Sequence, residues 1–255
     1  MHFASRIPYK EAIRNNIHAM EEELAEAGVE TLTNTLVDEN YINEYDPDIT
    51  VVAAGSQPMI VPLPGVEQKH VYTAQEVLGG DKDLIRRLTT GNVLIIGGGA
   101  VGLETAIYLI KNQRLEMQSK EFLSLYTDSK TSEGLRCGSN ITVVEMAPKM
   151  GKDLKSTRWI TMNELERYHV RLLTGAKVDK ILENRVVVNK ENDLIDIRAD
   201  YVVLAAGYRS EGKELIQWLE ENRREYKVAG DAKKVGTIRS ALSDAYSLNK
   251  KGEGQ

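Results

Sequence analysis

Three glycines at G-x-G-x-x-G spacing, Gly97, Gly99 and Gly102, carry the strongest chemical signal in the chain. They follow four apolar residues, Val93, Leu94, Ile95 and Ile96, and lead into an apolar run over 100–110. Buried strand, glycine turn and helix is the order that a dinucleotide-binding turn requires. Gly97 permits the tight turn, Gly99 lets the backbone approach a pyrophosphate, and Gly102 lets the helix pack closely on the strand. The N–H groups around Gly98, Gly99, Ala100 and Val101 then face an anion at the positive end of the helix dipole. A purely structural glycine turn is the alternative.

Glu145 ends the next apolar strand, 141–145. There its carboxylate can accept both hydroxyls of an adenosine ribose. A surface glutamate at a strand end is the alternative. The same charge repels a 2′-phosphate, and no arginine follows directly, although Lys149 and Lys152 are near. NAD(H) is therefore favoured over NADP(H). The spacing departs from the usual unit, in which the acidic residue lies ~20 residues on. The intervening 112–139 is polar and reads as an insertion, helical or partly disordered. Two further strands, 49–56 and 199–208, each end in Ala-Ala-Gly. Gly55 and Gly207 mark places where backbone approaches something flat or phosphorylated, or plain turn glycines. No Ser-His-Asp or Cys-His constellation is evident, so no catalytic side chain is assigned. Hydride transfer between two cofactors needs none.

These residues need elements to position them. The spacing of Ile13, Ile17, Met20 and Leu24 predicts an amphipathic helix over 8–27. A strand is expected over 29–36, and a proline-marked linker after Pro58. Thr73 and Glu76 have capping-box spacing, and a helix is expected over 81–88. Ser156 is expected to cap a helix to Tyr168, with Trp159, Ile160, Met162 and Leu165 in contact. A strand at 170–173 and a β-meander over 178–198 follow. Helices are expected over 212–224 and 238–249, with a short strand from Tyr226 between them.

Composition bounds the rest. A chain of 255 residues allows one or two domains. The net charge of −5 gives no basic footprint for nucleic acid or an anionic membrane surface. No apolar run approaches the ~20 residues of a spanning helix. The single cysteine, Cys137, excludes an internal disulfide and points to a reducing, cytoplasmic setting. Four histidines without ligand spacing argue against a metal site.

The order of motifs resembles the two-dinucleotide-binding flavoproteins, with their pyridine nucleotide-disulfide oxidoreductase-like fold. Within them it is most similar to the C-terminal region of the multidomain relatives of old yellow enzyme: 2,4-dienoyl-CoA reductase, enoate reductase and trimethylamine dehydrogenase. The resemblance rests on Ala53-Ala54-Gly55-Ser56 with Pro58 and Pro62-Leu63-Pro64-Gly65, the 97–104 turn, Val143-Val144-Glu145-Met146, Gly207-Tyr208 and Val228-Ala229-Gly230-Asp231-Ala232. It implies an α/β fold, a Rossmann-like nicotinamide-binding domain inserted into an incomplete FAD-binding domain. Residues 1–88 would be the first FAD segment plus linker, 89–208 the NAD(H) domain with its insertion, and 209–255 the second FAD segment.

The resemblance also assigns roles. Gly230 and Asp231 match the motif that places an Asp on the FAD ribityl chain; a turn or helix-cap role is the alternative for Asp231. Gly55 and Ser56 would line the junction between domains. Glu104 matches an acidic position facing the nicotinamide, or else pairs with a nearby Lys or Arg. Two parts of the family pattern are missing from this sequence: the first FAD-binding glycine turn, and the barrel carrying FMN and an iron–sulfur cluster. The chain is thus expected to work with a missing flavin barrel or partner subunit, as an NADH:flavin oxidoreductase module. Alternatively it is a non-catalytic NAD(H)-binding module that does not retain FAD. A nucleotide-sugar or SAM-binding Rossmann enzyme is a third reading. A sheet edge left open by the missing strand would let a second copy pair, giving a homo-oligomer.

Overall fold

A computed structural model of the chain describes residues 1–113 and 140–248. Most of the segment read as an insertion, Cys137 and Asn249 of the expected last helix lie outside the described residues. The chain forms two compact units: Met1–Ile17 with Pro58–Gly207, and His18–Gln57 with Tyr208–Gln255. Residues 58–88, grouped in the sequence reading with the first FAD segment, thus belong to the unit that holds the glycine turn. Their strand and helices pack there, as follows.

The first unit is built on a five-stranded parallel sheet. Its strands are β3 (Val71–Thr73), β4 (Val93–Ile96), β5 (Ile141–Glu145), β6 (Arg171–Thr174) and β10 (Tyr201–Leu204), in the order β3-β10-β4-β5-β6. Both faces are covered, which is why the strands read as unbroken apolar runs rather than alternating ones. Val93, Ile95, Val143 and Val203 join the core formed with Leu103, Leu109 and Leu165. Those leucines come from α6 (Ala100–Asn112) and α7 (Arg158–Arg167). Leu94, Val144, Val202 and Leu204 point the other way, onto Val178, Val186, Val188 and Ile197. These belong to the antiparallel meander β7 (Ala176–Leu182), β8 (Arg185–Lys190) and β9 (Asp193–Arg198).

The capping box of Thr73 and Glu76 is formed at α4 (Ala74–Leu78), and Asp81 caps α5 (Lys82–Thr90). The N-terminal segment is tied to this unit by polar contacts. Arg6 donates to the Leu78 carbonyl (3.2 Å), Tyr9 donates to Glu164 (2.9 Å), and Lys10 pairs with Glu104.

In the second unit β1 (Thr50–Val52) pairs in parallel with β12 (Tyr226–Val228). A small core of Ile42, Val52, Leu219 and Ala232 holds α3 (Glu39–Tyr45) and α8 (Lys213–Glu221) to this ladder. The final helix, α9, spans Ile238–Ser247 with Thr237 as its cap.

Three expectations are corrected. Residues 29–36 form no strand: Asn34 has φ +55, which breaks an extended run, and Val29, Leu32 and Leu36 are exposed. The first long helix, α2, is Ala12–Glu26; Ile13, Ile17 and Met20 of its apolar stripe are half-buried and Leu24 is exposed, so the helix is shorter at both ends than expected and its stripe is only partly covered. Ser156 sits inside a 3-10 turn, Lys152–Thr157, and α7 starts after Thr157 with no side-chain cap. Trp159 and Ile160 on that helix are exposed, whereas Leu165 is fully buried. Among the described residues no helix is long and apolar enough to cross a membrane.

The start of the central ladder is fastened by Asp200. Its carboxylate accepts the Asn92 backbone N–H (2.8 Å) and side-chain amide (2.6 Å). These bonds, the backbone one foremost, hold its pKa below the usual aspartate value despite some burial. A depressed pKa adds stability that is present above the unfolded value of about 4 and is lost as pH falls through the folded one. Asp200→Asn should therefore cost about 1 kcal/mol at pH 7, low in the range for charged hydrogen bonds because the group is partly exposed. The difference from wild type should shrink below about pH 4; urea denaturation across pH 7 to 3 checks this.

Candidate nucleotide-binding site

The turn after β4 is possible only with glycine. Gly97 has φ +113, and a methyl there would sit 2.8 Å from the Ala205 carbonyl carbon. A methyl on Gly102 would overlap the Gly97 carbonyl oxygen and lie 3.1 Å from its carbon. The helix therefore rests directly on the turn that precedes it. The turn is anchored by the Gly97 N–H on the Val144 carbonyl (2.9 Å) and by the Ala205 N–H on that of Ile96 (2.8 Å). Gly99 is the N-cap of α6 with no side chain to satisfy the first N–H groups, and Ala100 is its first residue. Gly97, Gly98, Gly99, Ala100, Val101 and Gly102 are thus all placed on one strand–turn–helix corner.

Glu145, at the end of β5, is turned into this corner. Its Oε2 accepts the Gly98 N–H (2.7 Å) and its Oε1 accepts the Ala147 N–H (2.7 Å). Each oxygen keeps acceptor capacity for a further donor. Gly98 leaves room for it, since a methyl there would be 2.8 Å from Glu145 Cβ. A cavity of about 430 Å³ opens beside the turn, lined by Gly97, Gly99, Glu145, Asp153 and Gly207. Its apolar wall includes Leu63, Val144 and Val178. Gly207 has φ +108, and beyond its Cα the nearest heavy atom to an added methyl is Met59 Cε at 3.9 Å. Its need for glycine is therefore one of backbone conformation and not of space.

Asp153 was not singled out by the sequence. Its two oxygens both accept the Ala100 N–H, at 2.9 and 2.8 Å. It arrives through Gly151, whose φ is +64 and whose N–H donates to the Gly98 carbonyl (2.7 Å). The only sequence signal was a glycine two residues before an acidic one, which is common in turns.

Glu104 does not line this cavity. It is buried on α6 and paired with Lys10, the ion-pair alternative left open by the sequence. Gly55, Ser56, Gly230 and Asp231 lie in the second unit. The Ser56 hydroxyl donates to Asp231 Oδ2 (2.9 Å), and the Gly236 N–H donates to Oδ1 (3.0 Å). Gly55 and Gly230 have φ +77 and +61, and the Gly230 N–H donates to Asp244 (2.9 Å). A hydrogen bond from Lys233 holds the Asp244 carboxyl below its usual range. Among the described residues no cluster of His, Cys, Asp and Glu could hold a metal ion.

Residues 28–229 match the family model described as pyridine nucleotide-disulphide oxidoreductase. The chain belongs to this family. Membership in the pyridine nucleotide-disulphide oxidoreductases implies binding of NAD(P)H and FAD, and the glycine corner fits the first of these. A metal reductase of Desulforamulus reducens is 35% identical over 77% of the chain and 29% of its own length. An NADH oxidase of Thermoanaerobacter brockii is 32% identical over 97% of the chain and 34% of its own length. A solved 2-naphthoyl-CoA reductase superposes with a TM-score of 0.78 at 20% identity, covering 99% of this chain and 34% of that one. The chain spans about a third of the length of the curated relatives it matches.

The contact between helix and turn gives a direct test. Gly102→Ala should push α6 off the 97–102 turn, costing about 1–3 kcal/mol as overpacking does, and should abolish nucleotide binding. Chemical denaturation and NADH titration of the same variant check both effects.

Proposed function

We propose that the chain is the nucleotide-binding part of an NADH-dependent flavin oxidoreductase, within a larger enzyme of the enoate and dienoyl-CoA reductase kind. The observation that carries this is the Glu145 carboxylate, fixed by the Gly98 and Ala147 N–H groups at the mouth of a turn that admits no Cβ. On this reading the pyrophosphate lies on the N-terminus of α6, and Glu145 accepts the adenosine ribose hydroxyls with the lone pairs it has left. A 2′-phosphate would bring like charge against that carboxylate, so NADH is preferred over NADPH.

On the flavin side, Asp231 is the residue we assign to a ribityl hydroxyl. Ser56 and Gly236 orient its carboxylate, and acceptor capacity remains on both oxygens. FAD, when bound, supplies the acceptor for the hydride of the reduced nicotinamide. The protein's share is to bind and orient the two cofactors.

The relatives support a reductase setting. They include the NADH oxidase above and a cinnamate reductase of Clostridium sporogenes, 29% identical over 89% of the chain and 30% of its own length. A flavin barrel on the same polypeptide or on a partner subunit would then pass electrons to the final acceptor. We place the protein in the cytoplasm.

The test is a calorimetric titration of the purified chain with NADH and NADPH, for wild type, Glu145→Ala and Glu145→Gln. NADH should bind more tightly than NADPH. Both variants should weaken NADH roughly tenfold or more, the worth of hydrogen bonds to a charged acceptor, and should narrow the preference. Equal binding of both nucleotides by wild type, or no binding at millimolar concentration, would contradict the reading.

A further inference from the structure

Asp153 has no part in the function proposed above, yet it holds the most contested position in the site. Ala100 opens the 13-residue α6, so its N–H has no partner within the helix. That N–H is held by both Asp153 oxygens, and the same carboxylate lines the cavity beside Glu145. It is delivered by a built turn rather than by a free side chain. Gly151 is locked to the Gly98 carbonyl, and a left-handed Lys155 (φ +48) follows Asp153 within the 3-10 segment. A carboxylate and a phosphate satisfy a helix N-terminus through the same donor and the same dipole. One N–H cannot serve both, and the two anions repel.

We propose that Asp153 is a built-in competitor for the phosphate position, so that a dinucleotide binds only when this carboxylate swings off the Ala100 N–H. The proposal rests on the dinucleotide reading of the 97–102 turn. It makes the nucleotide-free corner self-satisfied, and it lowers the apparent affinity by the fraction of molecules in which Asp153 is in place. Asp153 is exposed, and an exposed carboxylate at a helix N-terminus is worth about a two- to fivefold change in an equilibrium. Ligands without phosphate escape this competition.

The experiment is titration of the full chain with NADH and with adenosine, for wild type, Asp153→Ala and Asp153→Asn, alongside thermal unfolding. Both variants should bind NADH about two- to fivefold more tightly and adenosine as wild type does. Without nucleotide, Asp153→Ala should melt about 1–3 °C lower, and saturating NADH should erase that difference. NADH affinity unchanged or weakened in both variants, with wild type binding normally, would overturn the competitor role alone. Failure of wild type and both variants to bind NADH would overturn the dinucleotide site and the competitor with it.

Discussion

The structure depends on one close approach, that of the α6 backbone at Gly102 to the Gly97 carbonyl. No side chain separates helix from turn there, and a single methyl would overlap the oxygen. This contact aims the axis of α6 at the end of β4. It also leaves the amides of the turn facing outward, two of them already taken by carboxylates: Gly98 by Glu145 and Ala100 by Asp153. Backbone donors at a helix terminus attract anions whatever their source. The corner therefore gathers negative charge from the protein itself before any nucleotide arrives. On the reading proposed above, Glu145 sets specificity and Asp153 occupancy at this one turn.

That corner can be rigid because the sheet beneath it is buried on both faces. Alternate residues of β4, β5 and β10 divide between a helical layer and the β7–β9 meander. A one-residue slip of any strand would exchange these two sets, so the register is held by both layers at once. The strand ends, and with them Gly97, Glu145 and Ala205, inherit that register. The Asp200 clasp on Asn92 pins the opposite end of the same ladder.

The sequence is legible where the physics is local. The strand–turn–helix corner, the Thr73–Glu76 capping box, the helix after Asp81 and the meander each rest on neighbours within a few residues. It is less legible where the outcome depends on distant partners. The run 29–36 has strand-like composition, but it gains no ladder and Asn34 turns it. The stripe of α2 forms with the expected spacing, but Ile13, Ile17 and Met20 are only half-buried and Leu24 is exposed. Helix α3 was missed because Asp38, its cap, precedes a polar stretch in which only Ile42 is buried. Asp153 was missed because its role exists only once Gly151 folds back on Gly98. Glu104 illustrates the same limit: its partner, Lys10, lies far away in sequence on the N-terminal segment.

On the proposed function the amides of the 97–102 turn receive the phosphates of a dinucleotide. The most direct measurement is amide NMR of the 15N-labelled chain during titration with ADP, which carries the pyrophosphate without the nicotinamide. The account predicts the largest shifts at Gly98, Gly99, Ala100 and Val101, with smaller ones at Glu145 and Ala147. Shifts confined to residues outside this corner, with Ala100 unmoved at saturation, would contradict it.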